Sequence, residues 1–184
     1  MSGKQPPWFV GYGLTRTAIA LGLSIEDEQD AYCDDQDTLF QHLSVLGAPK
    51  TWSECEKRRR LFWTIFVFDR FCSTVTGKNF SLSSADVQRR LPNKESYWND
   101  NVCPSIPTPY FRVTDANSRG STPRLEIGHQ TSVGSFAYEI EAAQNLSLVV
   151  MFLVQWPLSV EAPQDSQSWQ RQFEDLDLQL IRYV

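Results

Sequence analysis

The chain has 184 residues, 41% hydrophobic and 21% charged, with a net charge of -5 at pH 7. That length fits one domain able to bury roughly 70% of its unfolded surface, while a sequence pI near 5.0 excludes the chain as a whole as a phosphate-seeking nucleic-acid binder. Its four cysteines, Cys33, Cys55, Cys72 and Cys103, include no C-x-x-C pair, and with His42 and His129 as the further ligand candidates they make no zinc pattern. Cys72 falls on an apolar stripe and reads as a small core residue, which fits a reducing, intracellular compartment. The opening MSGKQPPWFV lacks the apolar core of a secretory signal, and no segment reads as long enough for a membrane anchor.

In chain order, Trp8 to Leu23 carries Val10, Leu14, Ala18 and Leu21 at helical spacing and predicts a first amphipathic helix, weakened in its first turn by Gly11 and Gly13. The acidic run Glu26 to Asp30 follows as a solvated turn, and Asp37 to Leu46 predicts a short helix. Ser53 to Gly77, about residues 54–76, predicts the central buried helix. Ser53 and Glu56 have capping-box spacing, and Gly77 suits a left-handed C-terminal cap. Leu61, Ile65, Phe68, Cys72 and Val75 form its main stripe, and further aromatics make the body apolar on every side. Ser83 predicts a cap on a short helical turn through Arg90, ended by Pro92. From 93 to about 131 the prolines at 104, 107, 109 and 123 predict a long irregular loop, packed by Trp98, Tyr110 and Phe111 or partly disordered. Val133 to Trp156 and Ser166 to Val184 predict two more helices; in the last, Trp169, Phe173, Leu176, Leu180 and Tyr183 form a stripe that wants a partner. With neither cap nor polar tail after Tyr183, the sequence reads as a fragment truncated at its C-terminus, expected to associate through that stripe. The fold class is all-α: an irregular multi-helix bundle in a single domain over 1–184.

Three stretches carry a resemblance: LTRTAIALGLS at 14–24, ECEKRRRLFWTIFVFDRFCSTVTGKNFSL at 54–82 and DVQRRLPNKESYW at 86–98. Their order is similar to that of the fungal-specific transcription factor domain, the middle homology region of the fungal zinc-cluster regulators. The positions matching its pattern are Arg16, Arg58, Arg59, Trp63, Asp69, Arg70, Gly77 and Pro92. The resemblance implies an all-helical, non-enzymatic, nuclear regulatory domain of a factor for RNA polymerase II transcription. It also implies a protein partner or small-molecule effector, a homodimer in the full-length protein, and no membrane role. In that family a six-cysteine module binds two zinc ions and reads DNA; this sequence has no such cluster, so no zinc, other cofactor, metal, catalytic or DNA contact is assigned to any of its residues.

Several residues invite sharper readings. Lys57-Arg58-Arg59-Arg60 matches a localisation or phosphate patch, but four residues fan around the helix axis, so pairing with Glu54 and Glu56 is the expectation. Asp69 and Arg70 inside an apolar helix need partners; Arg16 of the first helix is the expected cation for Asp69, as an architectural tie. Asp34-Asp35-Gln36-Asp37 resembles the metal-binding acids of terpene cyclases, and that alternative predicts magnesium-dependent turnover of prenyl pyrophosphate lost on Asp34→Ala, but no second metal element accompanies it. A helical interaction or scaffold domain without transcriptional role is the other alternative. Neither His42 nor His129 has a nucleophile near it in sequence.

Overall fold

The structure, a computed structural model, describes residues 7–26, 46–111 and 132–155, together with 170, 171, 173, 174, 176 and 177. Four helices lie among them: α1 (Pro7–Ala20), α2 (Trp52–Thr76), the short α3 (Glu95–Asn99) and α4 (Ser135–Gln155). There is no strand among the described residues, only isolated bridges, and both α1 and α4 pack on α2. The all-α class and the central helix hold. The expected short helix at 37–46 lies outside the described residues apart from Leu46, as do the Asp34-Asp37 acids, both histidines, Cys33, residues 112–131, and Trp169, Leu180 and Tyr183.

Proline suits the first position of α1, where its missing N–H loses no helical bond. Gly22 ends the helix in the left-handed region at φ 71. Its N–H bonds the Ile19 carbonyl at 2.9 Å and the Leu23 N–H bonds the Ala18 carbonyl at 2.9 Å, the paired bonds of a Schellman motif. The inward face is Gly11, Thr15 and Ala18, not the expected Val10 and Leu14, which are exposed. A Cβ on Gly11 would already touch Phe68 Cε1 at 3.6 Å and Cys72 Sγ at 3.7 Å, so small residues face the bulky side of α2 and the larger ones turn out.

The N-terminal cap of α2 is Thr51, two residues before the expected Ser53. Thr51 Oγ1 accepts from the Glu54 N–H at 3.2 Å, while Glu54 Oε2 accepts from the Lys50 N–H at 3.0 Å. The box spacing is therefore T-x-x-E, which frees Glu56 for the interior. Gly77 caps the other end at φ 64, its N–H on the Ser73 carbonyl. The buried face of α2 comprises Cys55, Glu56, Arg59, Phe62, Trp63, Phe66, Asp69, Arg70 and Ser73. The expected stripe is corrected: its ends Leu61 and Val75 are 52% and 67% exposed, and Phe71 of another face is 62% exposed, so the helix is not apolar-buried all round. It turns its charged positions inward because surrounding loops supply their partners.

After α2, Ser83 caps a single 3-10 turn, Ser84–Asp86, shorter than the expected turn through Arg90. The segment beyond it runs extended and bridges three others: Gln88 pairs in parallel with Ile25, Arg90 antiparallel with Tyr110, and Asn93 antiparallel with Val133. This threading consumes the start of the expected loop. Phe111 enters the core edge-on to Trp63 and Phe66, at centroid distances of 4.9 and 5.4 Å, where Phe62, Leu82, Val87, Leu91, Ala137 and Ile140 surround them.

Helix α4 meets the expected boundaries closely. Over the 20 residues Ser135–Val154 it is long and apolar enough to cross a membrane by length and composition alone, which corrects the expectation that no segment reaches that length; core helices of soluble proteins pass the same test. Gly134 sets its start: a Cβ there would lie 2.6 Å from Glu95 Oε2 and 2.8 Å from Lys94 Cα, so only glycine allows the Lys94 backbone this close.

Candidate functional site

The charged residues on the buried face of α2 gather into two clusters, one near each end of the helix. At the N-terminal end Arg59 lies between two buried carboxylates. Its Nη2 donates to Glu26 Oε1, and its Nη1 donates to Glu56 Oε2 at 2.6 Å. Glu56, fully buried, also accepts from Arg60 Nε at 2.9 Å, from the Asn93 N–H at 3.0 Å and from Asn93 Nδ2 at 2.9 Å. Glu26 accepts from the Arg90 N–H at 3.1 Å, and Arg89 Nε stands 3.8 Å from its carboxylate. Burial alone would push the Glu26 carboxyl up, but the charges of Arg59 and Arg89 and the bonds from Arg59 and Arg90 outweigh it and hold the group below its ordinary value. The reciprocal attraction of Glu26 and Glu56 outweighs burial at Arg59 and raises its guanidinium. Arg89 Nη1 donates to the carbonyls of Leu23 and Ile25, at 2.7 and 2.8 Å, so the cluster fastens the exit of α1 and the 88–93 segment to α2.

At the C-terminal end Asp69 and Arg70 pair with each other, Arg70 Nη1 to Asp69 Oδ2 at 2.9 Å. Asp69 accepts the N–H groups of Ser81 at 3.1 Å and Leu82 at 3.2 Å, while Arg70 Nη2 donates to the Leu82 carbonyl at 2.7 Å and Ser84 Oγ at 3.0 Å. The dipeptide thus satisfies both backbone groups of Leu82, as a neighbouring strand would. Arg70 Nε reaches Gln144 Oε1 on α4 at 2.6 Å, and the Phe66 and Phe80 rings face the guanidinium at 4.1 and 4.0 Å. Burial pushes Arg70 down to about 10 against the opposing charge of Asp69, so it stays charged at neutral pH.

The expected residues divide accordingly. Arg59, Asp69 and Arg70 are the centres of the two clusters. Trp63 is fully buried and donates its Nε1–H to the Arg90 carbonyl at 2.8 Å; Pro92 is buried in the threaded segment, and Gly77 is the cap. Arg58 is half-buried, on Glu54 Oε1 at 2.7 Å and the Gly47 carbonyl at 2.8 Å, and Arg60 also faces the Trp98 ring at 5.3 Å. The basic run is mostly helix chemistry, as its fanned spacing indicates. The expected Arg16–Asp69 tie is wrong: Arg16 is exposed on α1 and bonds Tyr12 Oη at 3.0 Å, whereas Asp69 is satisfied by its neighbour Arg70 and two amides.

Sequence reasoning missed Glu26, Arg89, Asn93 and Gln144. Glu26 stands 33 positions from Arg59 and Gln144 stands 74 from Arg70, beyond any helical periodicity. Glu56 alone had a local signal, three and four residues before Arg59 and Arg60. Every carboxylate in both clusters is engaged by guanidinium or amide groups, an arrangement that ties segments together.

The model of the family described as "Fungal specific transcription factor domain" matches residues 13–174. A probable transcription factor, FUP6, of Fusarium proliferatum (strain ET1) is 26% identical over 113 residues, covering 55% of this chain and 16% of that protein. The chain therefore spans a small part of the relative's length. No solved structure matches it. Both clusters lie within the matched residues, and the chain belongs to the fungal-specific transcription factor domain family.

Proposed function

We propose that this chain is the regulatory domain of a fungal transcription factor and modulates transcription by shifting between conformations on binding a protein partner or a small-molecule effector. The observation that carries the reading is the family match over 13–174; the two clusters support it, because they join α1, α2, the 81–93 segment and α4 into one unit through which a local event can reach distant surfaces. DNA and zinc belong to a module of other sequence, the full-length protein works in the nucleus as a homodimer, and this chain is no enzyme. The family match favours this reading over a scaffold without transcriptional role and over a terpene-cyclase-like enzyme.

The test is a fusion of the chain to an unrelated sequence-specific DNA-binding domain, read on a reporter in fungal cells. Reporter output should depart from that of the DNA-binding domain alone, and Arg70→Met should remove the difference at equal protein level. Output equal to the DNA-binding domain alone sinks the proposal; a captured binding partner in that case would favour the scaffold.

A further inference from the structure

Two seams run along α4 at helical spacing. The inward seam is Ala137, Ile140, Gln144, Ser147 and Met151, all buried. The outward seam is Tyr138, Ala142, Leu146, Val149 and Leu153, in which Tyr138, Leu146 and Leu153 are 51%, 56% and 66% exposed. In the N-terminal half the inward residues are apolar. In the C-terminal half the inward seam is mixed: Gln144 and Ser147 face the core beside the single apolar Met151, while Leu146 and Leu153 face out. Apolar burial alone would turn this half of the helix the other way.

Specific contacts oppose that rotation. Arg70 Nε, on a side chain with no exposure, finds its acceptor in Gln144 Oε1 at 2.6 Å, while its Nη atoms bond Asp69, Leu82 and Ser84. Ser147 Oγ donates to the Gln144 carbonyl of its own helix at 2.7 Å, so its hydroxyl is satisfied without reaching α2. Ser73 Oγ lies 3.5 Å from Met151 Sδ, a weak contact. A roughly half-turn rotation of α4 would bring Leu146 inward and leave Arg70 Nε buried without an acceptor, a loss that apolar contact does not replace. One buried polar residue that selects between helix registers at some expense of stability is established in coiled coils. We propose that the Arg70–Gln144 contact is the register key of α4: it selects which of the two seams the helix lays on α2, and leaves the other on the surface.

Cysteine accessibility reads the register directly. Leu146→Cys and Ser147→Cys are made singly, and alkylation at each is followed by site-resolved mass spectrometry, so that the natural cysteines do not enter the rate. With Gln144 present, position 146 should react roughly tenfold or more faster than position 147, as exposed against buried. Gln144→Met keeps the shape and removes the acceptor; in that background the ratio should fall to near one or invert. Gln144→Glu, which keeps an acceptor for Arg70, should restore it. An unchanged ratio in the Gln144→Met background overturns the proposal. So does loss of helical circular dichroism and of a cooperative transition in Gln144→Met, because the contact would then serve stability and not register.

Discussion

Asp69 shows what a single side chain does in this interior. The residue is 3% exposed, and its carboxylate neutralises a guanidinium that is fully buried, so removing its charge leaves Arg70 uncompensated. Asp69→Asn should therefore destabilise the domain by about 3–5 kcal/mol, measured as a shift of the urea midpoint with the slope unchanged. A shift under about 1 kcal/mol would mean that solvent reaches the pair. Glu26 makes a different prediction because its folded carboxyl sits below the ordinary 4.5. A depressed acid stabilises the fold fully above its unfolded value and loses that contribution as pH falls through the lower folded value. Urea midpoints taken from about pH 7 down to about pH 3 should fall on the acid side, and Glu26→Gln should be less stable at neutral pH with a flatter acid limb. Equal slopes for the two proteins would show that Glu26 is not the titrating tie.

At the scale of elements, helix ends are set by backbone geometry that few residues can meet. Gly77 lies in the left-handed region at φ 64, so Gly77→Ala should cost about 1 kcal/mol. Gly134→Ala is expected to cost more, roughly 1–3 kcal/mol, because the added methyl would meet Lys94 Cα at 2.8 Å, and backbone cannot swing aside as a side-chain end can. Thermal unfolding of the two variants side by side checks the order, and a Gly134→Ala midpoint at or above that of Gly77→Ala would contradict it. The legibility of the helices follows from the same local physics. Gly77 and the extent of α4 were readable because caps and periodicity are short-range. The phase of α1 was not, since Gly11 rather than Val10 faces inward only because Phe68 and Cys72 occupy the other side.

For the whole molecule, the two clusters are separate ties on one rod. Glu56 and Asp69 stand 13 residues apart in α2, about 20 Å along the axis, and among the described residues the hydrogen bonds given above for the two carboxylates go to different groups. The double variant Glu56→Gln, Asp69→Asn should thus lose the sum of the single losses to within about 0.5 kcal/mol; a larger departure in urea denaturation would reveal coupling through the 81–93 segment. Exposed apolar residues at Phe9, Ile19, Leu61, Phe71, Val75, Leu146 and Leu153 also predict concentration-dependent association of the isolated chain. Sedimentation velocity checks this, and a monomer at high concentration would contradict it.

The sequence by itself determined the fold class, the central helix with its C-terminal cap, and the family, since each rests on periodicity, capping chemistry or the order of short motifs along the chain. It also marked Asp69 and Arg70 as residues in need of partners, because a charge within an apolar helix is costly wherever the helix goes. Which partners they take was decided only by the tertiary structure. Arg16 was a reasonable cation for Asp69 by composition, yet the carboxylate is satisfied by Arg70 and the amides of residues 81 and 82, while Glu26 and Gln144 arrive from 33 and 74 positions away. Local sequence encodes the need for a partner; loop closure and packing, which act between distant segments, choose it.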